Sequence, residues 1–229
     1  MTAGGSTSSG TTGAGSTEYF LYDDGTVFST DGRKLSALPT LPVITSLYDG
    51  YTAPTGELFV GGNGGNVYKY TPATNTWTSM KAATITSTVF AVGGVSANDF
   101  YVGTSFGNIY RYASGALPTS SIYVTASASI QSIWGRTSSE VWAVGDFGNI
   151  LHFNGQSWTL VPSGTSEDLL GVWGSSPTDI YVCGRHGTLL HNDGTGFRPM
   201  DATVPLTLTG IWGRSPSEVW ITGERGLVL

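Results

Sequence analysis

Short apolar runs recur along the chain, separated by Gly, Ser, Asn and Asp. The clearest stretch predicts strands at Ser132–Trp134, Val141–Val144, Ile150–Phe153 and Trp158–Val161. Short runs bounded by turn residues are typical of strands in an antiparallel meander. Both alternating faces of Val141–Val144 are apolar, which predicts a sheet covered on both sides.

This four-run unit repeats with a period near 40 residues. The same residue types return every 39 residues, as in Trp134, Trp173 and Trp212 and in Gly148, Gly187 and Gly226. Four strands per unit at this period are typical of propeller blades, so we predict an all-β fold, a β-propeller of four-stranded antiparallel blades. The repeats lie at about 18–43, 44–85, 86–128, 129–167, 168–206 and 207–229, and together form one propeller domain, residues 18–229.

Five to six blades are visible, and the terminal blade is incomplete. The last repeat stops inside its third strand, and the first offers three strands, at Tyr19–Tyr22, Thr26–Ser29 and Lys34–Leu38, without the inner one. Because an open ring would expose edge strands, three alternatives stay open. The chain is a fragment of a longer propeller, or a neighbouring chain completes it by self-association through the terminal blade, or it forms a six-bladed ring with a mixed terminal blade.

Residues 1–17 consist almost entirely of Gly, Ser, Thr and Ala, which predicts a flexible tether. The segment lacks the apolar core of a signal peptide. A small-polar leader before a lysine-poor domain is typical of exported or lipid-anchored bacterial proteins whose signal has been removed. We therefore expect an extracytoplasmic location, in the periplasm, at the cell surface or secreted; an artificial or cytosolic start is the alternative.

Composition and charge narrow the possible partners. Charged residues make up 11% of the chain and aromatic residues 12%, and the net charge is -6. Without a basic stripe, nucleic acid is not an expected partner. No apolar run approaches the roughly 18 residues of a membrane span. The single cysteine, Cys183, excludes an intrachain disulfide and is expected to be a buried small hydrophobe.

The units resemble the repeats of bacterial extracytoplasmic propellers, a group related to the kelch and Asp-box (BNR) propellers. The segments that carry the resemblance are SIWGRTSSEVWAVGDFGNILHF and its later copies, and Leu58–Trp77 is particularly kelch-like. The resemblance covers about residues 18–229 and implies a propeller fold. Members of such families bind proteins, bind glycans or host catalysis, so it implies no single activity.

Candidate catalytic groups have simpler structural interpretations. Residues 103–107 match G-x-S-x-G, but a nucleophile elbow needs a strand-to-helix turn, and this segment is predicted to be a hairpin. His152 and His191 share one repeat position and are expected to pack half-buried, whereas His186 lies on a hairpin and is the histidine expected to touch a ligand. Glu167 and Asp168 are predicted to form a solvated loop rather than a calcium site.

Two further repeated features are expected to be structural. The repeated tryptophans are predicted to fill the gaps between blades rather than to stack on sugars. The acidic residues before each second strand are predicted to cap backbone N–H groups; they are Asp99, Glu140, Asp179 and Glu218. No metal and no cofactor are expected.

The better pointer to function is the tip of the hairpin between the second and third strands of each blade. The tips differ between copies although their flanking glycines do not, and the candidate ligand-binding residues are Ser105, Phe106, Asp146, Phe147, Arg185, His186, Glu224 and Arg225. We predict a non-catalytic scaffold that recognises a protein or cell-surface polymer through this rim. The alternatives are a carbohydrate-binding lectin with per-blade sites, and a fragment or subunit of a larger propeller enzyme or surface assembly.

Overall fold

Six antiparallel sheets make up the computed structural model of the chain, which describes residues 6–8, 17–22, 24–43, 46–116, 118–124 and 128–229. The chain divides into two compact units, Met1–Val124 and Thr125–Leu229, called the N-terminal and C-terminal units below. Each unit contains three sheets, and within each sheet consecutive strands pair in chain order.

The N-terminal unit contains sheets 1 to 3. Sheet 1 comprises β1 (Ser6–Ser8), β2 (Glu18–Leu21), β3 (Val27–Thr30) and β4 (Leu35–Ala37). Sheet 2 comprises β5 (Leu47–Thr52), β6 (Leu58–Gly62), β7 (Val67–Thr71) and β8 (Thr76–Ser79). Sheet 3 comprises β9 (Val89–Ser96), β10 (Asp99–Thr104), β11 (Asn108–Ala113) and β12 (Tyr123–Val124).

The C-terminal unit contains sheets 4 to 6. Sheet 4 comprises β13 (Ile130–Thr137), β14 (Glu140–Gly145), β15 (Ile150–Phe153) and β16 (Trp158–Val161). Sheet 5 comprises β17 (Leu169–Ser176), β18 (Asp179–Gly184), β19 (Leu189–Asn192) and β20 (Phe197–Pro199). Sheet 6 has three strands, β21 (Leu208–Ser215), β22 (Glu218–Gly223) and β23 (Leu227–Val228).

The strands predicted for the clearest repeat are confirmed. The third and fourth have the predicted bounds, whereas β13 and β14 extend further at both ends. The extension arises because β13 and β14 pair along nearly their whole length, from Ile130 opposite Gly145 to Thr137 opposite Glu140, with an irregular step near each end.

Sheet 1 contains a strand that the apolar pattern did not predict. Strands β2 to β4 confirm the three predicted ones, and β1 pairs antiparallel with β2, with Ser6 opposite Leu21. This strand lies within the leader predicted to be a tether. Antiparallel pairing uses backbone N–H and C=O groups, which small polar residues supply as well as apolar ones do. Apart from Ser6–Ser8 and Thr17, the leader lies outside the described residues, and the tether stays a prediction.

The core lies between neighbouring sheets, which covers both faces of the inner strands. In the C-terminal unit, Val144 and Ile150 of sheet 4 pack with Leu169, Val172 and Val182 of sheet 5. Every residue of Val141–Val144 is buried, as its apolar faces predicted. In the N-terminal unit, an equivalent cluster joins sheets 2 and 3; it includes Phe59, Val67, Val92, Phe100 and Val102.

Two of the three repeated tryptophans, Trp134 and Trp173, pack against the next sheet, as predicted. Trp173 is buried, and a Cβ atom on Gly213 of the next sheet would lie 2.6–2.8 Å from three of its ring carbons. Trp134 approaches Gly174 in the same way, at 3.1 Å. Glycine is therefore required opposite each ring because any side chain there would overlap it. Cys183 is fully buried, as expected.

Candidate functional site

The hairpin tips of the C-terminal unit lie at the same end of the sheets as the loops that enter each sheet. The tips are single 3₁₀ turns at Asp146–Gly148, Arg185–Gly187 and Glu224–Gly226. The first N–H of each turn donates to a loop carbonyl, in the bonds Asp146 to Ser129 (3.1 Å), Arg185 to Asp168 (2.9 Å) and Glu224 to Thr207 (2.9 Å). We call these three turns and the loops at 162–168 and 200–207 the hairpin face.

The central residue of each tip has a left-handed backbone although it is not glycine. Phe147, His186 and Arg225 have φ values of +59°, +52° and +60°. A left-handed conformation costs a non-glycine residue roughly 1–2 kcal/mol. Gly64, at the equivalent tip of sheet 2, has φ +63° without that cost. Strain of this kind is concentrated at ligand-binding sites.

The flanking glycines have two different roles. Gly148 has φ +70°, as the predicted hairpin requires, and its missing side chain leaves room for the carbonyl oxygen of Thr165. Gly145, in contrast, is extended at φ −169°. Its lack of a side chain instead permits the close approach of the Ser129 carbonyl. The second left-handed residue of the turn is therefore Phe147 and not Gly145.

Two carboxylates of the loop before sheet 5 hold neighbouring tips in place. Asp168 accepts the N–H of Phe147 at 3.0 Å, and its other oxygen lies 3.0 Å from Nε of Arg185. Glu167 lies 2.7 Å from Nδ1 of His186. The loop was expected to extend into solvent; instead, Asp168 bridges the tips of sheets 4 and 5, so that Phe147 and Arg185 are fixed relative to each other.

The eight predicted site residues differ in their surroundings. Phe147, His186, Glu224 and Arg225 are exposed on the hairpin face. Asp146 points toward β13, where it accepts bonds from the Ser129 N–H (3.0 Å) and the Gln131 amide (2.8 Å). Its carboxylate therefore fixes the turn. Arg185 is half-exposed and bound to Asp168.

Ser105 and Phe106 form the equivalent tip of sheet 3 in the N-terminal unit. Phe106 is 66% exposed. The turn closes through a bond from the Gly107 N–H to the Thr104 carbonyl (3.0 Å) and leads directly into β11. The G-x-S-x-G segment thus lies on a hairpin between two strands, as expected.

A shallow groove beside the Phe147 tip escaped the sequence analysis. It has a volume of about 500 Å³ and is lined by residues 147–149 and 160–166. Phe147 and Leu160 form its apolar walls and are 69% and 61% exposed. The hydroxyl of buried Ser163 donates to the Thr165 carbonyl (3.1 Å), which shapes the loop. Leu160 could have signalled the groove, because the same position in sheets 2 and 5 holds Ser79 and Pro199.

The acidic residues before the second strands pair with basic side chains on the third strands. The pairs are Glu57–Lys69 (3.4 Å), Asp99–Arg111 (2.7 Å), Glu140–His152 (3.1 Å) and Asp179–His191 (2.7 Å). Each base also lies near a second-strand ring, in the contacts Lys69–Phe59 (5.8 Å), Arg111–Tyr101 (5.4 Å), His152–Trp142 (4.2 Å) and His191–Tyr181 (4.3 Å). The predicted role as backbone caps was wrong for Asp99, Glu140 and Asp179, because cross-strand pairing places a base within reach of each; Glu218 instead lies 3.8 Å from Arg214, four residues before it.

These pairs link the second and third strands of their blades. Burial tends to raise the pKa of Asp179, but hydrogen bonds from Ser175 and His191 outweigh it and hold the pKa below its usual value. Trp142 donates its indole N–H to Glu140 (2.7 Å), so this carboxylate also fixes a core ring. The half-buried packing expected for His152 and His191 is confirmed.

The described residues contain neither a metal-binding cluster nor a membrane-spanning helix. Within them, no group of three His, Cys, Asp or Glu side chains is arranged to hold a metal ion. No helix in the described part of the chain has the length and apolar character needed to cross a membrane.

Comparison with known proteins identifies the fold. No family model matches the sequence, and no curated protein matches it. The structure is similar to that of YCF48 bound to D1 peptide, with a TM-score of 0.73 and 17% identity over 93% of this chain and 74% of that one. It is also similar to catalytically inactive virginiamycin B lyase from Staphylococcus aureus with quinupristin (TM-score 0.81, 13% identity, 97% and 78% covered).

A third similar structure is the extracellular domain of BT4673 from B. thetaiotaomicron. The TM-score is 0.74 at 15% identity, over 97% of this chain and 31% of that one. At these identities the likeness shows the fold alone. Together with the six antiparallel sheets, it shows that the chain has the β-propeller fold that its repeats predicted.

Proposed function

We propose that this chain is a non-catalytic β-propeller scaffold that recognises a protein through its hairpin face. The observation that carries the proposal is the row of left-handed, non-glycine tips at Phe147, His186 and Arg225. Glycine would relieve the strain at each, so the side chains are retained at a cost in stability. The aromatic ring of Phe147 and the guanidinium of Arg225 are groups enriched at protein interfaces.

Preorganisation of the tips supports the same function. Asp168 holds the Phe147 backbone and the Arg185 side chain, and Glu167 holds His186. Groups that are ordered before binding lose less conformational entropy when a partner arrives. The similar structure of YCF48 is bound to D1 peptide, which supports a protein-binding role for this fold. Within the N-terminal unit, Ser105 and Phe106 at the equivalent tip of sheet 3 are proposed by themselves as binding residues.

The absence of catalysis is part of the proposal. Asp146 and Asp168 hold the turns, because each accepts a backbone N–H together with a side-chain donor. Since one similar structure is a lyase, hydrolase and lyase assays on the purified chain are the direct check. Activity that disappears on substitution of His186 or Glu167 would contradict this part of the proposal.

Carbohydrate binding is the alternative that a glycan array tests. Trp142 and Trp173 are buried, which argues against sugar stacking on the rings of sheets 4 and 5, whereas Trp220 of sheet 6 is exposed. Selective glycan binding that is lost on Asp146→Ala, Arg185→Ala and Glu224→Ala, with or without calcium, would favour the lectin.

We also propose an extracytoplasmic location. The small-polar leader supports it, as does the similarity to an extracellular domain. Fractionation of the producing cells tests the location directly, because a cytosolic pool would contradict it.

A site-directed photo-crosslinker tests the binding face. The photoreactive residue p-benzoylphenylalanine replaces Phe147, His186 or Arg225 in turn, and proteins of the producing organism serve as the partner pool. The matched controls are Ser139, Thr178 and Ser217, which are exposed on the opposite ends of the same sheets. We expect one common adduct from the three tips and none from the controls. Adducts only from the control positions, or none from any tip, would refute the proposal.

A further inference from the structure

The outer strand of sheet 4 has an edge that lacks the usual protection. Strand β16 is last in its sheet, and the described residues provide no strand beyond it. Natural edge strands are blunted by proline or polar side chains. At one register position, opposite Leu190, Tyr68 and Leu151, the outer strands hold Pro199, Ser79 and Leu160 respectively. Of these three positions, only Leu160 combines an exposed apolar side chain with a backbone N–H that can donate.

The groove continues this edge toward the hairpin face. Phe147 and Leu160 line the groove together with Gly148, which lies against the loop at 162–166, so the groove offers an apolar lining to a side chain of a partner. The edge supplies backbone hydrogen-bonding groups, and the groove supplies a pocket for one side chain. An extended peptide that adds to a sheet edge uses this combination.

The charge around the groove selects the partner. Residues 146–149 and 160–168 contain three carboxylates, those of Asp146, Glu167 and Asp168, and no lysine or arginine. Arg185 neutralises only Asp168. Asp146 is turned toward β13, so Glu167, whose carboxylate also meets His186, is the acid that a positively charged segment can reach at the rim of the groove.

We propose that β16 and the groove bind an extended peptide segment with an aliphatic or aromatic anchor flanked by Lys or Arg. The segment adds to β16 as a further antiparallel or parallel strand, its anchor lies between Phe147 and Leu160, and its basic residue lies near Glu167. The inference rests on the proposed function, since it specifies which segment of a protein partner the scaffold recognises.

Three labelled peptides serve as probes, each acetylated and eight residues long. The first alternates Lys with Val and Leu, the second replaces Lys by Glu, and the third replaces Val and Leu by Ser. Fluorescence anisotropy at low ionic strength measures their affinities for the full chain. We expect the first to bind at least tenfold more tightly than the other two, with affinity that falls on Glu167→Gln.

Leu160→Pro is the decisive variant. It reproduces the proline that sheet 5 carries at the same register position, so the sheet should tolerate it while strand addition is blocked. We expect at least a tenfold loss of affinity for Leu160→Pro and for Leu160→Ser. Leu35→Ser is the matched control, because Leu35 is 58% exposed on the outer strand β4 and lies outside the groove; it should bind as the native chain does.

Amide hydrogen exchange supplies a backbone readout. The first peptide should slow exchange in β16 of the native chain and not in Leu160→Pro. Unchanged affinity in Leu160→Pro, or a native chain that does not prefer the first peptide, overturns the inference. Peptide binding that is lost on His186→Ala and Arg225→Ala but kept in Leu160→Pro also overturns it, while it leaves the proposed function standing. Failure of the proposed function is distinguishable, since the tip crosslinks would then be absent.

Discussion

Glycine at position 147 should give a more stable protein than alanine at the same position. Phe147 has φ +59° and a largely exposed ring, so removing the ring sacrifices little buried area. Alanine keeps the left-handed strain, whereas glycine relieves it. Phe106 is the matched control, because it is equally exposed on the equivalent tip of sheet 3 but does not have a positive φ.

Two opposing free energies set the size of the effect. Left-handed strain costs a residue with a Cβ roughly 1–2 kcal/mol. Glycine loses about 0.5–1 kcal/mol through the greater freedom of its unfolded chain. The free energy of unfolding should therefore be higher for glycine than for alanine at position 147, by about 0.5–1 kcal/mol. At position 106 only the cost of glycine's freedom in the unfolded chain applies, so the free energy of unfolding should be higher for alanine than for glycine by about 0.5–1 kcal/mol.

Urea unfolding followed by tryptophan fluorescence measures both differences. The two units can unfold in separate transitions. Both variants in each comparison change the same position, so their difference in free energy of unfolding is read from the transition of one unit. If alanine is the more stable residue at both positions, the strain at Phe147 is not real. Phe147→Gly can also be combined with the crosslinker at His186. If Phe147→Gly is more stable than the native chain and that crosslink is lost, the phenylalanine is retained for binding at the expense of stability.

Three further predictions concern the core. Burial raises the pKa of Asp49 to about 7, so the folded state disfavours its ionised form, and stability should fall by up to about 4 kcal/mol as pH rises from 4 to 7. Asp49→Asn should remove that part of the pH dependence in urea titrations; a difference between the two proteins that does not vary with pH would contradict it. Gly213→Ala should cost about 1–3 kcal/mol by overlap with Trp173, and a double-mutant cycle with Trp173→Leu should be non-additive; strict additivity would mean that the ring simply moves. Burial also raises the pKa of Cys183 to about 12, so a thiol reagent at pH 8 should label it only after unfolding, and rapid labelling of the native chain would show that the thiol is accessible.

The strands were predictable because their signal is local. The signal at Ile150–Phe153 and Trp158–Val161 is a short run rich in apolar residues, and asparagine and glycine mark the turn between the two runs. Repetition strengthened that signal, because five copies of one pattern specify one supersecondary unit far better than a single copy does. Burial of Val141–Val144 followed from the same pattern.

The pairing between strands was not predicted, although the sequence contained a signal for it. An acid precedes a base by 12 residues in four sheets, for example at Glu57 and Lys69 and at Glu140 and His152. That spacing becomes a contact only when the hairpin register places the two side chains on one face. Strand β1 carried no such signal, because its pairing with β2 depends on backbone groups that every residue possesses.

The sequence alone determined the repeat, the all-β class and the residues at the hairpin tips, since each depends on neighbours along the chain. Only the tertiary structure decided that Phe147, His186 and Arg225 are left-handed, that Asp168 joins two tips, and that Leu160 and Phe147 share a groove. The bridge and the groove join residues about 13 to 21 positions apart in the sequence. The distances between such residues are set by how loops close and how strands are registered, and not by the conformational preferences of single residues.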